Sequence, residues 1–188
     1  MESGAERRLY WGAAGAALAL DLVTKSLAER YLFRSAGHSV LGDVFQLRLV
    51  YNPGAAFGLN LGAQSRWIFL AIAVAAVVLL YRYHRGAAPG DWFRQLALGL
   101  VTGGALGNLV DRIRSPRGVV DFLDFGVGGW RWPTFNVADM AVSCGAVLLA
   151  ISLWQEDARR EAAAEAVGRP LPPEPTPPEP IPAARGDE

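Results

Sequence analysis

The chain has 188 residues, 52% hydrophobic and 19% charged, with 18 basic and 18 acidic side chains and a formal charge of zero. That balance offers no basic surface for nucleic acid, while one cysteine (Cys144) and two histidines rule out an internal disulfide and argue against a Cys/His zinc site. Apolar runs as continuous as Trp67–Tyr81 and Met140–Trp154 exceed what a soluble core of this size needs, so the composition points to a bilayer as solvent.

Four segments are apolar enough to span: about Leu9–Leu27, Trp67–Tyr83, Phe93–Val110 and Val137–Trp154. They lie at the short end of the roughly 20 residues that a spanning helix needs. The expected fold is an all-α membrane protein of four transmembrane helices with a small β-sheet at the outer membrane surface.

The first segment follows Arg7-Arg8 and contains Ala17-Leu18-Ala19, as a cleaved signal peptide would. It nevertheless continues through Asp21 to Lys25 and three more spans follow, so it reads as retained. Asp21 and Lys25 are four apart and share a helix face, the spacing of a structural ion pair.

The loop from about 28 to 66 contains Phe45, Leu47, Leu49 and Tyr51 in strict alternation, the period of a half-buried strand. It runs into Asn52-Pro53-Gly54, a turn signal, so a small sheet is expected there. The second span carries no charge from Trp67 to Tyr81, with Trp67, Tyr81 and Tyr83 at its ends as interfacial belts predict. The third carries Gly99, Gly103 and Gly107 at four-residue spacing with Gly104 beside them. Small residues in that pattern let a second helix approach closely and make this helix central.

Asp111, three residues after Asn108 and next to Arg112, ends the third helix. There the helix dipole opposes a carboxylate, so it needs a donor from Arg112, Asn108 or Lys25. Asp121 and Asp124 sit in the mostly apolar run 118–125; apolar surroundings there would raise a carboxyl pKa. Asn136-Val137-Ala138-Asp139 has the form of a helix start, with Asn136 as N-cap and Asp139 at the third helical position. Capping is the simpler role for Asp139, and a helix N-terminus also favours the ionised form that a general base needs. Cys144 reads as a small packing residue, and His38 and His84 as remote from each other and without evident partners.

The chain between the third and fourth helices allows Asp121 and Asp139 to lie at one membrane face. Two carboxylates brought close cannot both ionise easily, which supplies one base and one acid. Rival readings are a small proton-coupled transporter, since intramembrane acids also form relays, and a non-catalytic scaffold in which Asp139 only caps. Residues 1–160 form the expected membrane domain, with its β region at about 28–66. Residues 161–188 form a tail holding eight of the 12 prolines, a composition that cannot bury a core. Arginines flank both ends of the spans almost equally, so charge does not set the orientation.

Four blocks in order resemble the bacterial lipoprotein signal peptidases (signal peptidase II): Asp21-Leu-Val-Thr-Lys25; Asn52-Pro-Gly-Ala-Ala-Phe57-Gly58; Gly103 through Asn108 to Asp111-Arg112; and Val119-Val-Asp121-Phe with Phe135-Asn136-Val-Ala138-Asp139. The resemblance implies that Asp121 and Asp139 are the catalytic pair. It places Asn52, Gly54, Asn108, Arg112 and Asn136 around the site, with Asp21, Lys25 and Asp111 in support. It further implies a diacylglyceryl-modified prolipoprotein as substrate, cleaved just before the lipidated cysteine. Inhibition by globomycin-type antibiotics, no metal or organic cofactor, and a bacterial inner-membrane location with both termini cytoplasmic also follow. A different intramembrane aspartyl protease fits less well, because no Gly-x-Gly-Asp block occurs. Ser115-Pro116-Arg117 lengthens the stretch before Asp121, and the proline-rich tail lies outside the shared region.

Overall fold

A computed structural model describes residues 4–32, 37–54, 62–86 and 90–168. Phe57 and Gly58 of the second block, and the proline-rich run from Pro170, lie outside the described residues. In chain order the elements are α1 (Gly4–Leu32), β1 (His38–Leu41), β2 (Phe45–Asn52), α2 (Ser65–Arg85), α3 (Trp92–Arg114), β3 (Val119–Val127), β4 (Trp130–Arg131) and α4 (Val137–Gly168). The chain divides into two units, Met1–Trp154 and Gln155–Glu188. The second is helical as far as it is described, to Gly168, with Arg160 Nη2 donating to Glu156 Oε1 at 2.5 Å.

The chain is an all-α membrane protein carrying a small antiparallel sheet. α2, α3 and α4 are long and apolar enough to cross a bilayer. At 1.5 Å per residue the 21 residues of α2 reach about 31 Å, close to the hydrocarbon thickness. α1 is longer, at 29 residues, but carries more charge. It hides the two that fall mid-helix, because Asp21 and Lys25 are fully buried.

α3 is the most buried of the three apolar helices. Its glycines explain why. A side chain at Gly99 would strike the Tyr10 carbonyl at 2.6 Å, and one at Gly103 would overlap the Ala14 carbonyl, both on α1. Gly104 meets the Ala138 carbonyl of α4 in the same way. Backbone approaches this close need positions without Cβ.

The sheet has the order β1-β2-β3-β4. The expected strand from Phe45 is present as β2, but the sheet is not confined to the loop 28–66. β1, with four residues, cannot cover the eight of β2, and the free edge is paired by β3 from the second loop. In that pairing Val50 faces Asp121, Tyr51 faces Val120 and Asn52 faces Val119. Gly118 turns the chain from α3 into β3 at φ 103°, where a Cβ would overlap the Asn52 carbonyl. Successive side chains along β3 alternate faces. Phe122 therefore joins Ala28 and Leu32 in an apolar cluster, while Asp121 points the opposite way.

Candidate active site

A cavity of about 540 Å³ opens where the C-terminal end of α3, β3 and the N-terminal end of α4 converge. Asp121, Asp139, Asn52, Asn108 and Arg112 line it. Its far wall is formed by Trp132, Pro133, Thr134 and Phe135 before α4, and by Met140, Val142, Ser143 and Cys144 on α4.

Asp139 is fixed by the start of its own helix. Asn136 Oδ1 accepts from the Asp139 N–H at 3.0 Å, while Asp139 Oδ2 accepts from the Asn136 N–H at 3.2 Å. This is a reciprocal capping box, so the capping expected from sequence is present and leaves Oδ1 facing the site. That oxygen accepts from Asn108 Nδ2 at 2.9 Å.

Asp121 is held by two other amides. Asn136 Nδ2 donates to Oδ1 at 2.7 Å and Asn52 Nδ2 to Oδ2 at 3.1 Å. Burial is the largest influence on Asp121, and the neighbouring Asp139 carboxylate adds to it. Together they raise its pKa from 3.8 to about 7 against the opposing pull of the two amides and Lys25.

Each asparagine is oriented by a partner that can only donate. The Gly54 N–H holds Asn52 Oδ1 at 3.0 Å, the Asp139 N–H holds Asn136 Oδ1, and the Lys25 ammonium holds Asn108 Oδ1 at 2.9 Å. With the acceptor end committed, the NH2 end must face a carboxylate. Asn136 Nδ2 also reaches Asn108 Oδ1 at 3.1 Å, joining the two aspartates through one hydrogen-bonded chain.

Behind the cavity Lys25 Nζ lies 2.7 Å from Asp21 Oδ2 and 2.9 Å from Asp111 Oδ2, with all three side chains fully buried. Asp21 Oδ1 accepts the Ala138 N–H at 2.8 Å, which ties α1 to the first turn of α4. Asp111 takes its donors from Lys25, from the Val120 N–H at 3.2 Å and from an ion pair with Arg114 Nε at 3.0 Å. Of the three donors expected for it, only Lys25 serves. Arg112 is engaged elsewhere, donating to the Gly54 carbonyl at 3.0 Å and the Asn108 carbonyl at 3.2 Å. Arg66 of α2 completes this end, donating to the carbonyls of Arg112 and Ile113 at 2.7 and 2.9 Å.

Every expected site residue therefore falls in one connected region: Asp121, Asp139, Asn52, Asn108, Arg112, Asn136 and Gly54 at the cavity or its rim, Asp21, Lys25 and Asp111 one layer behind. Asp124 is excluded from it, since a separation of three places it on the other face of β3, where Arg131 Nε binds it at 2.8 Å. Cys144 is not a packed core residue. It is exposed and lines the cavity. Sequence reading missed this wall, although counting four onward from Asp139 and Met140 reaches Ser143 and Cys144 on the same helix face. His84 also departs from expectation: it is buried at the far end of the bundle, stacked on Tyr10 at 3.7 Å with Nδ1 2.6 Å from Gln95 Oε1.

The family model described as signal peptidase (SPase) II matches residues 13–155. The chain belongs to the signal peptidase II family. A lipoprotein signal peptidase of Rhodococcus jostii is 44% identical over 147 residues, covering 77% of this chain and 72% of that protein. Another from Oleidesulfovibrio alaskensis is 40% identical over 141 residues, covering 73% and 89%. Two solved structures of a bacterial membrane enzyme superpose with TM-scores of 0.70 and 0.66, at 28% and 30% identity. They cover 78% and 75% of this chain and 88% and 89% of their own. Membership of signal peptidase II makes the chain a multi-pass membrane endopeptidase of the aspartic type.

Proposed function

We propose that the chain removes the signal peptide of diacylglyceryl-modified prolipoproteins, cleaving just before the lipidated cysteine, with Asp121 and Asp139 as the catalytic dyad. The observation that carries this reading is the pair of carboxylates lining one cavity from β3 and α4 in unlike surroundings. A peptidase needs both a base and an acid, and unlike surroundings supply them.

Asp139 is the base. Its carboxylate is held by the helix N-terminus and by an amide whose far end is bound to an ammonium group. It takes a proton from water as the water oxygen attacks the scissile carbonyl carbon. Asp121, which burial keeps protonated to about pH 7, donates its proton to the carbonyl oxygen. The resulting gem-diol collapses by breaking the C–N bond. One hydroxyl proton returns to Asp121, and the proton held by Asp139 passes to the leaving amine. Arg112 and the apolar wall of α4 flank the cavity, where the substrate chain would lie.

α1 crosses the bilayer with the other helices, its mid-helix charges satisfied against α3. Both termini then face the cytoplasm of a bacterial inner membrane, and the aspartates sit near the outer surface. Residues 1–160 form the catalytic domain, and residues 161–188 form a cytoplasmic tail outside it.

The test is cleavage of a diacylated prolipoprotein by purified protein, comparing wild type with Asp121→Asn, Asp139→Asn and Asp111→Asn. Loss in both of the first two supports the dyad; retained activity in either removes that residue from it. Globomycin should block the wild-type reaction, an outcome that a proton-coupled transporter would not give.

A further inference from the structure

A second cavity, about 690 Å³, lies at the opposite end of the bundle between the C-terminal end of α2 and the N-terminal end of α3. Arg94 and Asn108 are 14 residues apart on α3, so it lies about 21 Å from the aspartate site along that helix. Its lining includes Leu79, Tyr81, Arg82, Tyr83 and Arg85 from α2 and Arg94 from α3. Leu79, Arg82 and Tyr83 follow the i, i+3, i+4 spacing of one helix face, which turns an arginine and a ring toward the same space. Arg94 reaches across from α3 to lie 5.7 Å from the Tyr83 ring centroid. Among the described residues no carboxylate lies within ion-pair distance of Arg82 or Arg85.

We propose that this cavity binds the phosphodiester headgroup of an anionic phospholipid, with its acyl chains lying along the exposed apolar face of α2. Guanidinium groups match phosphate oxygens in pairs, and basic pockets at the ends of membrane helices are suited to anionic headgroups. The lipid, rather than a free phosphate, is favoured by what adjoins the arginines. Ile72, Val78 and Leu79 are exposed on α2 and lead from the cavity into the bilayer. Tyr81 and Tyr83 are exposed at the level where phenols straddle headgroups and chains. Arginines that merely set topology would attract anionic lipids diffusely. A cavity lined by both Arg82 and Arg85 instead holds one, saturably.

The experiment uses the full chain in phosphatidylcholine nanodiscs titrated with phosphatidylglycerol, read by native mass spectrometry and by crosslinking with a photoreactive phosphatidylglycerol. Wild type is expected to retain one phosphatidylglycerol in preference to phosphatidylcholine, with crosslinks at residues 79–86. Arg82→Gln/Arg85→Gln should weaken that preference roughly thirty-fold, the loss of two cations near the headgroup. Cleavage by the double variant should continue, since neither residue touches the aspartate site. Equal retention of the two lipids, crosslinks outside the cavity, or wild-type preference in the folded double variant would each overturn the proposal. Millimolar inorganic phosphate is a further arm, and competition by it as effective as the lipid's would reassign the site to free phosphate. If the double variant does not fold, the wild-type crosslinks alone decide.

Discussion

Replacing Asn108 by aspartate changes one atom's chemistry and almost nothing of its shape. Oδ1 would still accept from Lys25, now at 2.9 Å, and from Asn136, now at 3.1 Å, so the buried ammonium keeps all of its acceptors. The other oxygen would take the place of the amide that donates to Asp139 at 2.9 Å. Asp139 then loses a donor to its ionised form and gains a negative neighbour. A hydrogen bond to a charged group is worth about 1.5–3 kcal/mol, so kcat/KM should fall roughly 10- to 150-fold at neutral pH. The assay is cleavage of a diacylated prolipopeptide from about pH 5 to about pH 9, beside a thermal melt that reports folding. A folded variant with unchanged kcat/KM would refute both the orientation of Asn108 and the assignment of Asp139 as base.

The high-pH limb of wild-type kcat/KM should fall near pH 7, where Asp121 loses its proton; Asn52→Leu, which removes a bond favouring the ionised form, should move that limb upward. The same shift has a stability consequence. Asp121's folded pKa lies above its unfolded value of 3.8, so its contribution is fully present below that value and is lost as pH rises through about 7, as thermal melts across that window would show. Lys25→Met leaves Asp21 and Asp111 buried without their shared cation and should cost about 3–5 kcal/mol, read as a large drop in melting temperature. Gly103→Leu places a side chain into the Ala14 carbonyl and should give little or no folded protein, measured as monodisperse yield.

The sequence was most legible where one physical rule governed a stretch. Charge-free and small-residue runs placed α2, α3 and α4, and alternation placed β2. The cap at Asn136–Asp139 could be read because helix starts have a local chemistry of their own. What could not be read were contacts whose partners are distant in the chain. Nothing near Asp21 announces that it accepts the Ala138 N–H, 117 residues away. Nor does the spacing of Arg112 and Arg114 reveal that the latter, not the former, reaches Asp111. The sheet's extent beyond the loop 28–66 could not be read for the same reason, because β3 joins β2 across α2 and α3. Cys144 was misplaced because an apolar run does not say which of its faces meets lipid, protein or a cavity.

In the proposed mechanism the asparagines keep both proton states of the dyad available. A cation placed directly against each aspartate would hold both ionised and leave no acid. Bare burial of both would leave no dependable base. Neutral amides avoid both outcomes: each donates a hydrogen bond without a full charge, so the balance between the aspartates is left to their surroundings. Asp121 has burial and the Asp139 carboxylate acting against two amides, and burial prevails. Asp139 has a helix N-terminus and an amide whose carbonyl is bound to Lys25. Lys25, fully buried, thus reaches Asp139 across a single side chain, at the length of two hydrogen bonds. In the proposed mechanism Lys25 is a positioning residue for the dyad as well as the counter-ion of Asp21 and Asp111. That double task explains why a costly buried ammonium stands where an apolar side chain would pack more cheaply.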